Sequence, residues 1–371
     1  MEHTQVNDLK TPLFDRHVAL GARIVPFSGW QMPVQYSGIR EEHHAVRQAA
    51  GIFDVSHMGV IDILGPDAEK LLDHLSTNVV SGKKDGTATY TVWAKEDGTC
   101  VDDVIVFREG PQAFYVVVNA GNRDKDLRHV QNYASGFDVE IVSHYETLGI
   151  LAIQGPKAME IVGRLIPDTK GMRPFRTQRS LYSGTELRIS TTGYTGSGGC
   201  EIIAPNQVIG PLWDAMLKEG AGEGIAPIGL GARDTLRLEM GYALYGHELS
   251  EDILPNESVS AWTVRLSKDS FLGKEAIEAL EQSGKKRYPC AIKLLGKGIA
   301  REGHRILKND QDIGYVSSGT MSPSLGEAIA LGLVDEVLSP ETELMVEVRG
   351  RQIAACVVAL PFIDPKTAAS S

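Results

Sequence analysis

Cysteine is scarce in this 371-residue chain: Cys100, Cys200, Cys290 and Cys356 lie far apart and form no C-x-x-C pair. That spacing argues against a disulfide framework and a zinc ribbon, and it fits a reducing, cytoplasmic compartment. Positive charge is in deficit, with 37 Lys and Arg against 48 Asp and Glu and a net charge of −11. A general nucleic-acid binder needs the opposite balance, so no nucleic-acid partner is expected. Long apolar runs are missing too. The longest candidates, such as 152–155 and 357–362, are strand-sized, so no membrane span is expected. The first eight residues, Met1 to Asp8, carry neither the basic stretch nor the apolar run of a secretory leader, and are expected to be the mature start. There is no internal repeat, and only 367–371 reads as a loose end.

What is present is enough apolar material, 42% of residues, to build two to three packed domains. Apolar residues at three- and four-residue spacing predict helices over 39–50, 66–75, 121–133, 156–165, 208–219, 230–240 and 272–282. The first is expected to stop at Gly51, a glycine able to close a helix in the left-handed conformation. Period-two alternation predicts a three-strand meander over 90–95, 100–107 and 114–119, with Asp97-Gly98 as the first turn. Beyond residue 289 only strand-like runs recur (291–294, 314–317, 328–334, 344–348 and 353–358), which predicts a separate small β-barrel or sandwich behind the polar linker 282–286. Without regular alternation of helix and strand, the fold class is α+β, built of several small sheets.

Three clusters could carry chemistry. Asp102-Asp103 places adjacent carboxylates in an apolar strand, where Asp is depleted and costly to bury. Strict alternation puts Asp102 on one face with Val104 and Val106, and Asp103 on the other with Val101, Ile105 and Phe107. The plain alternative is a strand start near a solvent edge with both acids wet. The glycine-rich segment 192–203 runs into a strand containing Glu201 and reads equally as a ligand loop or a long hairpin loop. It is neither a phosphate loop nor a dinucleotide fingerprint, having no following lysine and no following helix. In 229–239, Arg233 sits in the first turn of a helix, where the dipole disfavours a cation; an anionic ligand or a salt bridge to Asp or Glu would account for it. His43, His44, His57 and His247 lack the companions of a metal site and read as structural or surface residues, so no metal is expected. No G-x-S-x-G element supports a serine hydrolase. Cys100 and Cys200 lie beside acids, which disfavour a thiolate nucleophile.

Taken in order, 11–14, 27–36, 53–58, the Asp102-Asp103 strand, 151–156, Gly193-Tyr194-Thr195-Gly196, 229–239 and 318–326 resemble the aminomethyltransferase, or T-protein, family of the glycine cleavage system nearly end to end. The resemblance implies a three-domain cloverleaf around a central opening for tetrahydrofolate. Its units would be 1–50 with 147–247, 51–146 with 248–282, and an all-β barrel over 285–371. It implies transfer of the methylene carbon from the aminomethyl-lipoyl arm of H-protein to tetrahydrofolate with release of ammonia, in functional association with glycine decarboxylase and dihydrolipoamide dehydrogenase. Tetrahydrofolate would be a co-substrate; no metal, flavin or nicotinamide is implied.

Carried over by position, Asp103 is the catalytic carboxylate, Glu201 meets the amino-pyrimidine edge of the pterin, and Arg233 meets the glutamate tail of folate. Tyr90, Asn119, Tyr194, Trp262 and Met58 fall where the family lines its pocket, ordinary core packing being the alternative for each. Two departures stand out: Thr99 where relatives more often carry glycine, expected to leave an ordinary hairpin, and Ser197-Gly198 in place of an acidic pair, expected to alter the mobility of the loop near Glu201. The same fold also serves folate-dependent demethylases of methylated small molecules, the folate half of sarcosine and dimethylglycine dehydrogenases, and an iron–sulfur maintenance protein. With no room for a flavin domain and with Asp103 and the 229–239 helix start both in place, a demethylase is the alternative function.

Overall fold

The computed structural model describes residues 9–364, so the readings at Met1 to Asp8 and at 367–371 lie outside the described residues. Among the described residues a two-stranded hairpin, Arg23–Phe27 with Trp30–Gln35, accompanies three larger sheets that carry the architecture. A six-stranded sheet runs in the order Thr177–Tyr182, Thr185–Ser190, Gly199–Pro205, Leu148–Gln154, Ala50–Asp54, Ile225–Pro227, with only the last pair parallel. A five-stranded antiparallel sheet runs Thr87–Ala94, Cys100–Gly110, Ala113–Val118, Gly59–Leu64, Glu140–Ser143. The third, from Tyr288–Leu294 to Arg351–Val357, closes into a six-stranded antiparallel barrel, so the C-terminal unit is a barrel and not a sandwich. Each encloses its own apolar core. Because Ala50–Asp54 pairs with Leu148–Gln154, we propose that the boundary between the first two units lies after Asp54 rather than at residue 50.

The expected helices form at 39–48, 68–75, 123–133, 158–165, 206–219, 230–239 and 274–283. The short helix Phe14–Ala19, the barrel strand Arg305–Lys308 and the strands Arg23–Phe27, Trp30–Gln35, Ala50–Asp54, Gly59–Leu64, Glu140–Ser143, Leu148–Gln154, Thr177–Tyr182 and Thr185–Ser190 were not expected. Gly51 does not close a helix, which ends at Gln48; it lies inside a strand, where a Cβ would come within 2.4 Å of Ile228 and 2.5 Å of Val46. The requirement there is close packing, not a left-handed backbone. At the Asp97-Gly98 turn, Thr99 donates its N–H (3.0 Å) and hydroxyl (2.6 Å) to Asp97, so the turn itself is ordinary, although the strand leaving it is irregular at Val101.

The helix Leu230–Glu239 joins the parts. At its start, Gly229 packs so closely on Val34 that a Cβ would lie 2.4 Å from that residue's carbonyl, and its N–H donates to the buried Glu42 (2.7 Å). At its end, Glu239 accepts from Arg47 (2.8 Å) and from the barrel residues Ser322 (2.5 Å) and Ser324 (2.9 Å). Burial alone would raise the Glu239 carboxyl, but hydrogen bonding to His43 and Ser322 and the charge of Arg47 hold it at about 2, below its ordinary 4.5.

A carboxyl depressed by folding stabilises the fold fully above its unfolded value, and that contribution drains away as pH falls towards the folded value. Stability is therefore expected to decline from about pH 4.5 towards 2. Glu239→Gln, which leaves the buried Arg47 without its counter-charge, is expected to cost roughly 3–5 kcal/mol in denaturant unfolding and to flatten that acid decline. A variant as stable as the parent at pH 7 would remove Glu239 from this role.

Candidate functional site

The Asp102-Asp103 strand is not at a solvent edge: Cys100–Gly110 is flanked on both sides by paired strands. Asp102 is fully buried and Asp103 half-buried, so the wet alternative does not hold. The alternation expected through Val101 also fails. Pairing runs Trp93 to Asp102 and then Ala94 to Cys100, leaving Val101 as the extra residue of a β-bulge. The bulge sends Val101 into the same core as Val104 and Val106, while Cys100 packs with Val92, the partner of Asp103.

Asp103 opens into a cavity of about 200 Å³ between the two open sheets. Tyr90 donates to its Oδ2 (3.0 Å) and Asn119 Nδ2 to its Oδ1 (3.1 Å), fixing its rotamer from either side. Tyr90 also meets Ser260 (2.9 Å), and its ring stacks against exposed Trp262 at 5.7 Å. Burial first, and then the charge of Asp102, push the Asp103 carboxyl up to about 7. Such a group changes charge in the neutral range, where a proton carrier is effective.

Across the cavity, Glu201 takes the Thr192 hydroxyl on one oxygen, and burial raises its carboxyl. No donor among the described residues reaches its other oxygen. Arg233 has no carboxylate within 4 Å among the described residues; its guanidinium lies over the Tyr194 ring at 4.3 Å instead. The salt-bridge alternative for Arg233 therefore fails, whereas Arg237, one turn on, is saturated by Asp234 (2.8 Å), Glu248 (2.9 Å) and Ser318 (2.8 Å). Met58 completes the wall, so all eight residues nominated from the sequence line one cavity. Thr192, from the segment 192–203 singled out in the sequence, also lines it, and several others do so unannounced: Tyr242, Ser260 and Phe175, the last exposed and held at φ 56°. Nothing in the local pattern 173–176 distinguishes Phe175 in advance.

The 192–198 segment is both things it could have been, a long hairpin loop and a cavity wall. Its backbone passes so near Gln154 that a Cβ on Gly193 would fall 1.9 Å from the amide oxygen. Within it, Ser197 is buried and accepts from Arg47 (2.8 Å), which also donates to the Thr195 carbonyl. A second cleft of about 450 Å³ adjoins the first through Tyr194, Arg233 and Leu244 and reaches the barrel at Arg301 and Ser317 to Gly319.

The cysteines offer no competing chemistry, because Cys100 and Cys200 are buried and burial pushes both thiols far up. His43 is structural, bonded to Thr235 and Ser324. His57 is buried against Phe27 and held down at about 3 by burial and by the charge of Arg233.

Residues 13–268 match the family model described as the GCVT N-terminal domain, and residues 287–364 match that of the glycine cleavage T-protein C-terminal barrel domain. An aminomethyltransferase of Chlorobium luteolum is 45% identical over 95% of this chain and 98% of its own length. One from Bdellovibrio bacteriovorus is 42% identical over 95% and 99%. The crystal structure of the glycine cleavage system aminomethyltransferase T from Bartonella henselae superposes with a TM-score of 0.88 at 31% identity, covering 96% of this chain and 98% of that one. On matches that span both its sheet-bearing N-terminal part and its barrel, the chain belongs to the glycine cleavage T-protein family of aminomethyltransferases.

Proposed function

We propose that the 200 Å³ cavity is where the methylene carbon of an aminomethyl-lipoyl arm passes to tetrahydrofolate with release of ammonia, Asp103 being the catalytic carboxylate. The observation that carries this reading is the placement of one half-buried carboxyl fixed by Tyr90 and Asn119, one carboxylate with an open oxygen and one guanidinium without a carboxylate partner around a single aromatic cavity. Each matches a different part of a reduced folate. Glu201 suits the paired N–H donors of an amino-pyrimidine ring, since a carboxylate accepts on both oxygens. Tyr90, Tyr194 and Trp262 supply aromatic faces along the cavity. Arg233, with a cation over Tyr194 and no acid to neutralise it, suits the carboxylates of the glutamate tail.

Asp103 then does two things at the reacting end. It accepts or orients the proton of the attacking folate nitrogen, and its negative charge offsets the positive charge on the transferred carbon as the amine departs. Two nitrogen–carbon bonds form on folate as the bonds from carbon to the leaving amine and to sulfur break, and the two displaced folate N–H protons go one to the amine, which leaves as ammonia, and one to the sulfur, which completes the dithiol. No oxidant is consumed.

The arm of H-protein would reach the cavity through the adjoining 450 Å³ cleft. Arg301 is common to that cleft and to an open groove on the barrel ringed by Lys297, His304, Arg349 and Arg351. In a chain of net charge −11, this concentration of cations with no carboxylate within 4 Å of Lys297, Arg301, Arg349 or Arg351 among the described residues is the surface we assign to an acidic face of H-protein. Association with glycine decarboxylase and dihydrolipoamide dehydrogenase would follow through the same carrier. The four free thiols suit a cytoplasmic enzyme, and no helix among the described residues is long and apolar enough to cross a membrane.

Three outcomes are expected. Ammonia release from aminomethylated, lipoylated H-protein should depend on tetrahydrofolate, rise through about pH 7 as Asp103 ionises, and fall roughly 10²–10⁴-fold in Asp103→Asn with folate affinity retained. Full turnover in that variant would displace Asp103 from the chemistry. Arg233→Ala should raise the folate Kd about tenfold or more through loss of charge-assisted bonds, leaving kcat at saturating folate far less affected; equal folate affinity would refute its tail-binding role. Lys297→Glu combined with Arg351→Glu should raise the KM for H-protein, most strongly at low salt, and leave folate binding untouched. A KM insensitive to both changes would move the docking surface elsewhere.

A further inference from the structure

Behind Asp103 lies a group that neither the cavity nor the family motifs include. Asp126, on the helix Arg123–Tyr133, is fully buried, and no N–H or O–H of the described residues donates to either of its carboxyl oxygens. An acid in the first turn of a helix is ordinarily explained by the helix dipole and solvent, but here solvent is excluded. The group within hydrogen-bonding reach is the carboxyl of Asp102, itself fully buried. Two buried carboxyls in contact cannot both be ionised, so the pair holds a proton. Donors decide where it sits. Asp102 receives the Asn119 N–H (3.1 Å), Asn119 Nδ2 (2.9 Å) and Asn122 Nδ2 (2.7 Å), whereas Asp126 receives none. The carboxylate is therefore Asp102, and the acid is Asp126, donating its proton to Asp102.

We propose that Asp126 is the neutral, proton-holding end of the chain Asp126–Asp102–Asn119–Asp103 and is a positioning residue that sets the orientation and ionisation of Asp103 from outside the cavity. Asn119 makes the link: one amide donates to Asp102 Oδ1, to Asp103 Oδ1 (3.1 Å) and to the Asp103 carbonyl (3.0 Å). With Asp102 anchored as an anion, its charge faces Asp103, and that charge is a cause of the high Asp103 carboxyl. Burial first, and then the Asp102 charge, push the Asp126 carboxyl well above its ordinary value. The other ionisable groups facing this chain are Tyr90 and Tyr194 towards Asp103, Cys100 on the same strand, Tyr145 towards Asp126 and more weakly Asp102, Tyr245 towards Asp102 and more weakly Asp126, and Lys125 towards Asp126. Lys125 is turned outward to the Tyr245 hydroxyl (2.6 Å) and to Glu251 (3.4 Å), so it does not neutralise the pair.

The inference rests on the reading of Asp103 as the reacting carboxylate, but its first test does not. Infrared difference spectra at pH 7 between the parent and Asp126→Asn should show the loss of one protonated-carboxyl C=O band; persistence of every such band in the variant would overturn the proposal whether or not the enzyme turns over. Kinetics supply the second arm. Asp126→Asn retains a donor towards Asp102, so its pH profile of kcat should superimpose on that of the parent. Asp126→Leu removes the donor, lets Asp102 take up the proton, and should move the profile down by roughly one to three units with the KM for folate unchanged, since Asp126 does not line the cavity. A parental profile in the leucine variant, or an equal displacement in the asparagine variant, would refute the donor role. If the leucine variant does not fold, the infrared band and the asparagine profile still decide.

Discussion

Placing a carboxyl pair inside a β-sheet costs several kcal/mol unless the protein supplies donors and controls which member is charged. Around that constraint the second sheet is arranged. Asp102 collects three amide donors from the 119–122 turn, and Asp103 receives Tyr90 and Asn119 while keeping one side open to the cavity. The bulge at Val101 is part of the same solution. By inserting one residue it lets the strand send Val101 inward with Val104 and Val106 without forcing Asp103 into that core. An unbulged strand would place Val101 and Asp103 on one face, and either the valine would leave the core or the acid would enter it.

The remaining architecture is held by a second set of buried charges along one helix. Leu230–Glu239 has Glu42 at its first N–H, Thr235 against His43, Arg237 bound to Glu248 and Ser318, and Glu239 bound to Arg47 and to two barrel serines. These contacts reach back to the helix 39–48, forward to the barrel, and through Arg47 to the 192–198 loop. Removing one partner of such a pair strands the other in low dielectric, so the relative placement of sheet, loop and barrel is enforced by penalty more than by attraction. The cavity takes part of its wall from Arg233 of this helix and from Thr192 to Tyr194 of the loop, and the adjoining cleft reaches the barrel, so both inherit that rigidity.

Much of this was readable from sequence where the signal is local. The Asp97-Gly98 turn, the alternating meander and the strand-only tail report directly on backbone geometry, and the residues lining the cavity followed from ordered motifs. What escaped depends on partners distant in the chain. A bulge is a property of register between two strands, so Val101 could not reveal it alone. Gly51 has the look of a helix stop, yet its requirement comes from Ile228, 177 positions along the numbering of the same chain. Asp126 reads as an ordinary helix-start acid because the carboxyl it faces arrives from another strand. Arg305–Lys308 is too short to show a period.

The contrast between Arg233 and Arg237 shows how the fold separates structure from function on one helix. Both lie on the same side, one turn apart. Arg237 is satisfied by two carboxylates and a hydroxyl and is almost wholly buried, which makes it a joint between the helix and the barrel. Arg233 lowers its cost with the face of Tyr194, a contact worth only about 0.5–2 kcal/mol, well below the cost of full desolvation. Satisfying it with an acid would be simple, as Arg237 demonstrates, and would also abolish its attraction for an anion. The guanidinium is thus kept partly unsatisfied by the protein, and the same holds across the cavity, where Glu201 has a donor on one oxygen only and burial and the Asp102 charge push the Asp103 carboxyl up to about 7. Three incomplete electrostatic arrangements facing one aromatic cavity each carry a cost, and on the proposed reading a ligand bearing paired donors, a reacting nitrogen and terminal carboxylates would relieve all three at once.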